Sequence, residues 1–210
     1  MAYAIKEMYY TLQGEGGQSG RPAVFLRFSG CNLWSGREID RHKAICKFCD
    51  TDFWGTDGIN GGKYPTATSV VEKADQLYPK GYRNKYVVCT GGEPMLQLDR
   101  KLVDAFHTQG FEIGIETNGT LAVDLPIDWI CVSPKENTDI VQRRGNELKI
   151  VFPQGNMDPR EWEDLDFDHF FLSPMDNENT KENIRQCIDY CLENPHWKLS
   201  LQTHKILDIR

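Results

Sequence analysis

The chain has 210 residues, 40% of them hydrophobic and 26% charged, with a formal net charge of −7. That length supports one sizeable core within a single α/β domain, expected to span 1–210, and the composition excludes disordered and fibrous classes. No apolar run approaches a membrane span, residues 1–8 lack a signal-peptide pattern, and lysine and arginine cluster no further than pairs such as Arg143 and Arg144; a membrane or nucleic-acid partner is therefore not expected.

The expected compartment is the cytoplasm. The seven cysteines are there expected to be free, catalytic or metal-bound rather than paired as disulfides. In chain order, the apolar runs 23–28, 85–89, 112–116, 129–132, 148–152, 169–172 and 198–202 read as short buried strands, several ending at Gly, Pro or Ser. Between them, Ser69 and Glu72 have capping-box spacing for a helix running to about Tyr78. A second helix is expected over 96–109, with Leu98, Leu102, Val103 and Phe106 on one face and Gly110 as its stop. A third is expected over 180–193, where Ile184, Cys187, Ile188 and Cys191 form one stripe. Alternating strands and helices predict parallel βα units. Helices thin out after residue 116, so the expected architecture is an incomplete, TIM-like βα barrel with eroded helices. Polar clusters follow the strand ends at 90–94, 117–119, 133–135, 173–176 and 202–205, where parallel α/β folds bind ligands.

Three cysteines, Cys31, Cys46 and Cys49, are spaced C-x14-C-x2-C within 31–51, with no fourth nearby. Three thiolates on a [4Fe–4S] cluster leave one iron open to a small chelating molecule. Zinc held by the three thiols and His42, or a C-x2-C pair merely buried with a stray thiol, fits the same spacing.

These residues stand in a wider pattern. Q-G-E-G (13–16), P-A-V-F-L-R-F-S-G (22–30) leading into C-N-L, C-K-F-C-D-T (46–51) and V-V-C-T-G-G-E-P (87–94) resemble the radical S-adenosylmethionine (SAM) family. Within it the chain is similar to the 7-carboxy-7-deazaguanine synthases of queuosine biosynthesis, nearly end to end through S-P-K, S-P-M-D and the final L-Q-T-H-K-I-L. One departure stands out: the family at large spaces its cysteines C-x3-C-x2-C, and Ser35 occupies the place of the middle one. The first interval here is longer by eleven residues, which costs on the order of 1 kcal/mol in loop closure.

The resemblance implies a [4Fe–4S] cluster on Cys31, Cys46 and Cys49, SAM on its open iron, and Mg²⁺ on the Thr51 hydroxyl. For SAM it implies Phe48, Cys49 and Asp50; Gly91, Gly92 and Glu93, the last as a carboxylate for the SAM ammonium; Ser133, Pro134 and Lys135; and Ser173, Pro174, Met175 and Asp176. The implied substrate, 6-carboxy-5,6,7,8-tetrahydropterin, would meet Leu12, Gln13, Gly14, Glu15, Arg27, Thr90 and the terminal carboxylate of Arg210. Arg27 in an apolar strand also reads as a buried salt bridge, and each strand-end residue also reads as an ordinary turn. The implied reaction is a radical ring contraction that releases ammonia, making the chain a carbon–nitrogen lyase, served by an electron donor such as a flavodoxin. A homodimer is expected. A glycyl-radical activase is the alternative sharing the cluster, and a zinc-binding module the alternative without it. Cys89, Cys131, Cys187 and Cys191 read as core filling; of the histidines, only His204, after the last strand, is a site candidate.

Overall fold

The computed structural model describes residues 2–209 and is organised by one nine-stranded sheet. In chain order its elements are β1 (Tyr3–Leu12), β2 (Pro22–Phe28), β3 (Gly62–Tyr64), α1 (Ala67–Leu77), β4 (Lys85–Gly91), α2 (Arg100–Thr108) and β5 (Phe111–Thr117). There follow β6 (Trp129–Val132), β7 (Arg144–Phe152), β8 (Asp166–Pro174), α3 (Thr180–Glu193), β9 (Trp197–Leu199) and α4 (Thr203–Ile206). The sheet runs β3-β1-β2-β4-β5-β6-β7-β8-β9 without closing. β1 is antiparallel to β2 and β3, and every other pairing is parallel. This is the expected eroded barrel: among the described residues after β5, only α3 and the single turn of α4 are α-helical.

All seven expected strands are present, most of them longer at one or both ends. β1 and β3 were not expected. In β1 the register shifts between Ile5 and Glu7, so the buried Ile5 and Met8 stand three apart and break the alternation that marks a strand. The helix starts also differ. α1 is capped by Thr66, whose hydroxyl accepts the Ser69 amide at 3.1 Å, one turn ahead of the expected start. The stretch Pro94–Leu96 is a 3-10 turn, and α2 begins only after Asp99, which accepts the Leu102 amide at 2.9 Å.

The two faces of the sheet differ in chemistry. On the outer face Val87, Cys89, Ile113 and Ile115 pack with Leu102, Val103 and Phe106 of α2, while Leu148, Ile150 and Leu172 pack with Cys187 of α3. On the inner face Ala23, Tyr86 and Val88, with Phe25, form an apolar floor. Above that floor, toward the C-terminal strand ends, the lumen turns polar. Cys131 alternates with Ile130 and Val132 on β6 and so faces this lumen beside Glu116 and Glu147, not the core expected for it. No helix among the described residues is long and apolar enough to cross a membrane.

Because Phe106 is fully buried and lies edge-on to Phe111 with centroids 5.3 Å apart, Phe106→Ala is expected to cost about 3–5 kcal/mol. Leu192→Ala, at a site 76% exposed, is expected to change stability by less than about 0.5 kcal/mol; denaturant unfolding compares the two.

Candidate active site

The C-terminal strand ends converge on one cavity of about 430 Å³. Its entrance is set where β2 and β4 run parallel, with Phe28 opposite Gly91 and Arg27 opposite Thr90. A Cβ on Gly91 would stand 2.3 Å from the Phe28 carbonyl oxygen, and one on Gly92 2.1 Å from that of Gly30. Gly91 also has φ +136, a conformation suited to glycine. The two glycines are thus required by the close approach of the β2 backbone, and both line the cavity beside Cys31.

Residues 31–51 arch over this entrance. The expected path of the long first interval was open, and the structure gives it a 3-10 turn, Glu38–Lys43, held by Arg41. The Arg41 guanidinium lies 4.0 Å over the Trp34 ring and donates to the carbonyls of Lys47 at 2.8 Å and Cys49 at 3.1 Å. Trp34, Ala44 and Phe53 form a small core against which Cys31 and Cys49 pack. All three cysteines of the motif line the cavity. The Leu33 amide donates to Cys31 Sγ at 3.4 Å. A hydrogen bond from the Cys46 thiol draws the Cys49 pKa down, while the same bond and burial push Cys46 up. Soft, partly buried thiols gathered on one wall, with Lys135 lowering the pKa of both members of the close pair, fit an iron–sulfur cluster held by three ligands. His42 stands exposed on the 3-10 turn.

The opposite wall is an ionic lumen. Register places Glu116 of β5 opposite Cys131 of β6, and Cys131 opposite Glu147 of β7; their donor atoms lie within 4.8 Å of one another. One pleat further along β7, Lys149 Nζ lies 2.8 Å from Glu15 and 2.9 Å from Glu116. Burial alone raises the Glu15 pKa, but Lys149 and a hydrogen bond from Gln202 hold it down to about 2. Glu116 is pushed up, burial outweighing its share of Lys149.

Of the expected site residues, Leu12, Gln13, Gly14, Glu15, Arg27, Phe48, Asp50, Thr51, Thr90, Gly91 and Gly92 line this cavity. Ser133, Lys135, Ser173, Pro174, Met175 and Asp176 line it too. Glu93 and Pro134 are not part of the lining. The Glu93 carboxylate, expected to face a ligand ammonium, is wholly buried and accepts from the Thr117 hydroxyl at 2.8 Å and the amides of Asn118 and Met95 at 2.8 and 3.0 Å. Arg210 lies outside the described residues. Arg27 lines the cavity and is also ion-paired, its Nε 2.9 Å from Glu7 and its Nη2 donating to the Tyr9 hydroxyl at 3.2 Å.

Glu116 and Lys149 were not expected in the site, while Lys205, within the expected polar cluster 202–205, and His204, a lesser candidate, do line it. Lys205 Nζ bridges Asp50 at 2.6 Å and Asp176 at 2.5 Å, tying α4 to the cysteine loop and to the end of β8.

The sequence pattern of the radical SAM superfamily matches residues 42–152, a span that begins inside the long cysteine interval and leaves Cys31 outside. Two curated proteins named 7-carboxy-7-deazaguanine synthase are similar along the whole chain. The one from Burkholderia multivorans is 57% identical over 209 residues, and that from Bradyrhizobium diazoefficiens 56% over 210, with 100% of each chain covered. The crystal structure of QueE from Escherichia coli matches with a TM-score of 0.70 at 28% identity, covering 96% of this chain and 94% of that one.

Arg41→Ala removes both the ring stack and the two carbonyl contacts that hold the cysteine loop. It is expected to speed iron loss from the anaerobically reconstituted protein to a chelator by about tenfold, with Arg41→Lys restoring little because it lacks the planar fork. Release unchanged in Arg41→Ala would contradict this role.

Proposed function

The chain belongs to the 7-carboxy-7-deazaguanine synthases of the radical SAM superfamily, and from that membership we propose how its residues serve the reaction. The substrate is 6-carboxy-5,6,7,8-tetrahydropterin, and the products are 7-carboxy-7-deazaguanine and ammonia. When bound, the [4Fe–4S] cluster and SAM supply an electron and a carbon-centred radical that takes one hydrogen atom from the substrate. The reading is supported by one observation above all: three thiols and the polar ends of several strands line a single cavity in a chain 57% identical to a synthase over its full length.

In this reading Cys31, Cys46 and Cys49 would hold the cluster and leave one iron without a protein ligand for SAM, with Gly91 and Gly92 on the same cavity wall. Phe48, on the cavity lining, would pack against the adenine of SAM. Asp50, Ser133, Lys135 and the residues from Ser173 to Asp176 complete the SAM side, with Pro134 shaping the turn between Ser133 and Lys135. Glu93 acts one step back, fixing the strand ends that carry Asn118 and the two glycines. Leu12, Gln13, Gly14 and Glu15 meet the pyrimidine edge, and Arg27 and Thr90 the remaining polar groups. The planar fork of Arg27 keeps donors in reserve beyond its pair with Glu7. Thr51 would offer its hydroxyl to a Mg²⁺ ion, whose remaining ligands would be substrate oxygens and water. Residues 1–210 work as one domain of a homodimeric, cytoplasmic enzyme, reduced by a donor such as a flavodoxin and free of direct nucleic-acid contact.

Anaerobic turnover with reductant, SAM and the carboxypterin is expected to yield the deazaguanine product with SAM recovered intact. Cys31→Ala, Cys46→Ala or Cys49→Ala is expected to abolish it, whereas Cys187→Ala, in the outer core, is expected to retain it. Absence of product from the parent protein would overturn the substrate assignment.

A further inference from the structure

β7 carries two charged residues on its lumen face, Glu147 and Lys149, that are 2% and 5% exposed. Two positions apart on a strand, they point the same way, and both end on the turn 13–17 that follows β1. Lys149 grips Glu15 of that turn and Glu116 of β5, at 2.8 and 2.9 Å. Glu147 Oε2 accepts the Gly17 amide at 2.7 Å. The turn is shaped to this grip: Gly16 has φ +64, and a Cβ there would stand 2.3 Å from Glu147 Oε1. The Gly16 amide donates to Ser200 Oγ at 2.8 Å, and Gln13 Nε2 donates to Glu116 at 3.1 Å.

A lumen holding one buried and two partly buried carboxylates beside a buried ammonium is expensive, and apolar residues of similar volume would serve stability as well or better. The opposite face of β7 already supplies burial through Leu148 and Ile150. What the charges supply is a fixed shape for one turn.

We propose that Glu147 and Lys149 are positioning residues for substrate recognition, locking the turn 13–17 so that Glu15 and Glu116 stand side by side as acceptors for the amino and ring N–H edge of a fused pyrimidine. The proposal rests on the carboxypterin reading given above. Lys149 has a second consequence, since it keeps Glu15 ionised against the opposing effect of burial. Neither residue is asked to move a proton; each acts through the turn it holds.

The test compares Lys149→Met, Glu147→Leu, Glu147→Gln and Ser200→Ala in the reconstituted holoenzyme. Lys149→Met and Glu147→Leu are expected to raise KM for the carboxypterin by about tenfold or more while the Kd for SAM stays within about twofold. In the substrate-free protein they are expected to speed amide exchange in the segment 12–18 by about tenfold. Glu147→Gln keeps an acceptor for Gly17 and is expected to stay within about threefold of the parent in both readouts. Ser200→Ala, which touches no charge, is expected to move both in the same direction by a few-fold.

Unchanged exchange and KM in the Leu and Met variants would overturn the proposal. So would a Gln variant as impaired as the Leu variant, or SAM affinity falling in step with KM. Faster exchange together with a parent protein that binds no carboxypterin would leave the lock standing and overturn its assignment to this substrate.

Discussion

The chain leaving β2 and the chain leaving β4 pass so closely that no side chain fits between them, and the entrance to the cavity is built on that approach. Gly91 and Gly92 sit against the backbone of Phe28 and Gly30, and the Glu93 amide donates to the Gly30 carbonyl at 2.9 Å. Cys31 follows at once, so the first thiol is delivered to the entrance by the contact itself. Glu93 then turns its carboxylate to Thr117 and Asn118, binding the end of β5 to the same frame. Three strand ends are thereby fixed before any ligand arrives, which is the preorganisation that radical chemistry needs if the reactive species is to meet one hydrogen atom and no other.

Stability and chemistry are assigned to opposite faces of one sheet. The outer face is apolar and carries the helices; its two cores account for most of the fully buried side chains. The inner face has an apolar floor and an ionic upper lumen, where Glu15, Glu116, Glu147 and Lys149 sit at a desolvation cost that the outer cores offset. Loss of helices after β5 leaves the connections 118–128 and 133–143 without helix, free to bring Asn118, Ser133 and Lys135 to the cavity.

Much of this was legible in the sequence because it rests on local signals. Runs such as 129–132 and 148–152 are too short for helices and rich in β-branched or aromatic residues, and the stripe over 180–193 coincides with α3. β1 was not legible because its bulge puts Ile5 and Met8 at helix-like spacing. The cysteines and strand-end turns were readable as motifs, but Glu116, Glu147 and Lys149 were not. Lys149 is a lone charge in the run 148–152, Glu147 lies just before it after Asn146, and Glu116 closes a run opened by Glu112; only the register across β5, β6 and β7 makes them neighbours. Cys131 was misjudged for the same reason, since burial in a strand does not say which face it joins. Glu93 was read by its place after two glycines, whereas its burial depends on Thr117 and Asn118, 24 and 25 residues away.

The long first cysteine interval does not alter the logic of the entrance, because Arg41 and Trp34 fold the extra residues back over the loop that carries Cys46 and Cys49. The central claim is that three side chains hold a four-iron cluster and leave its last corner for SAM. Mössbauer spectra of protein reconstituted with iron-57, taken before and after SAM is added, test it most directly. The account predicts that one iron in four changes its parameters on addition of SAM while the other three keep theirs. Four irons indifferent to SAM, or a colourless protein with a single zinc on these cysteines, would contradict it.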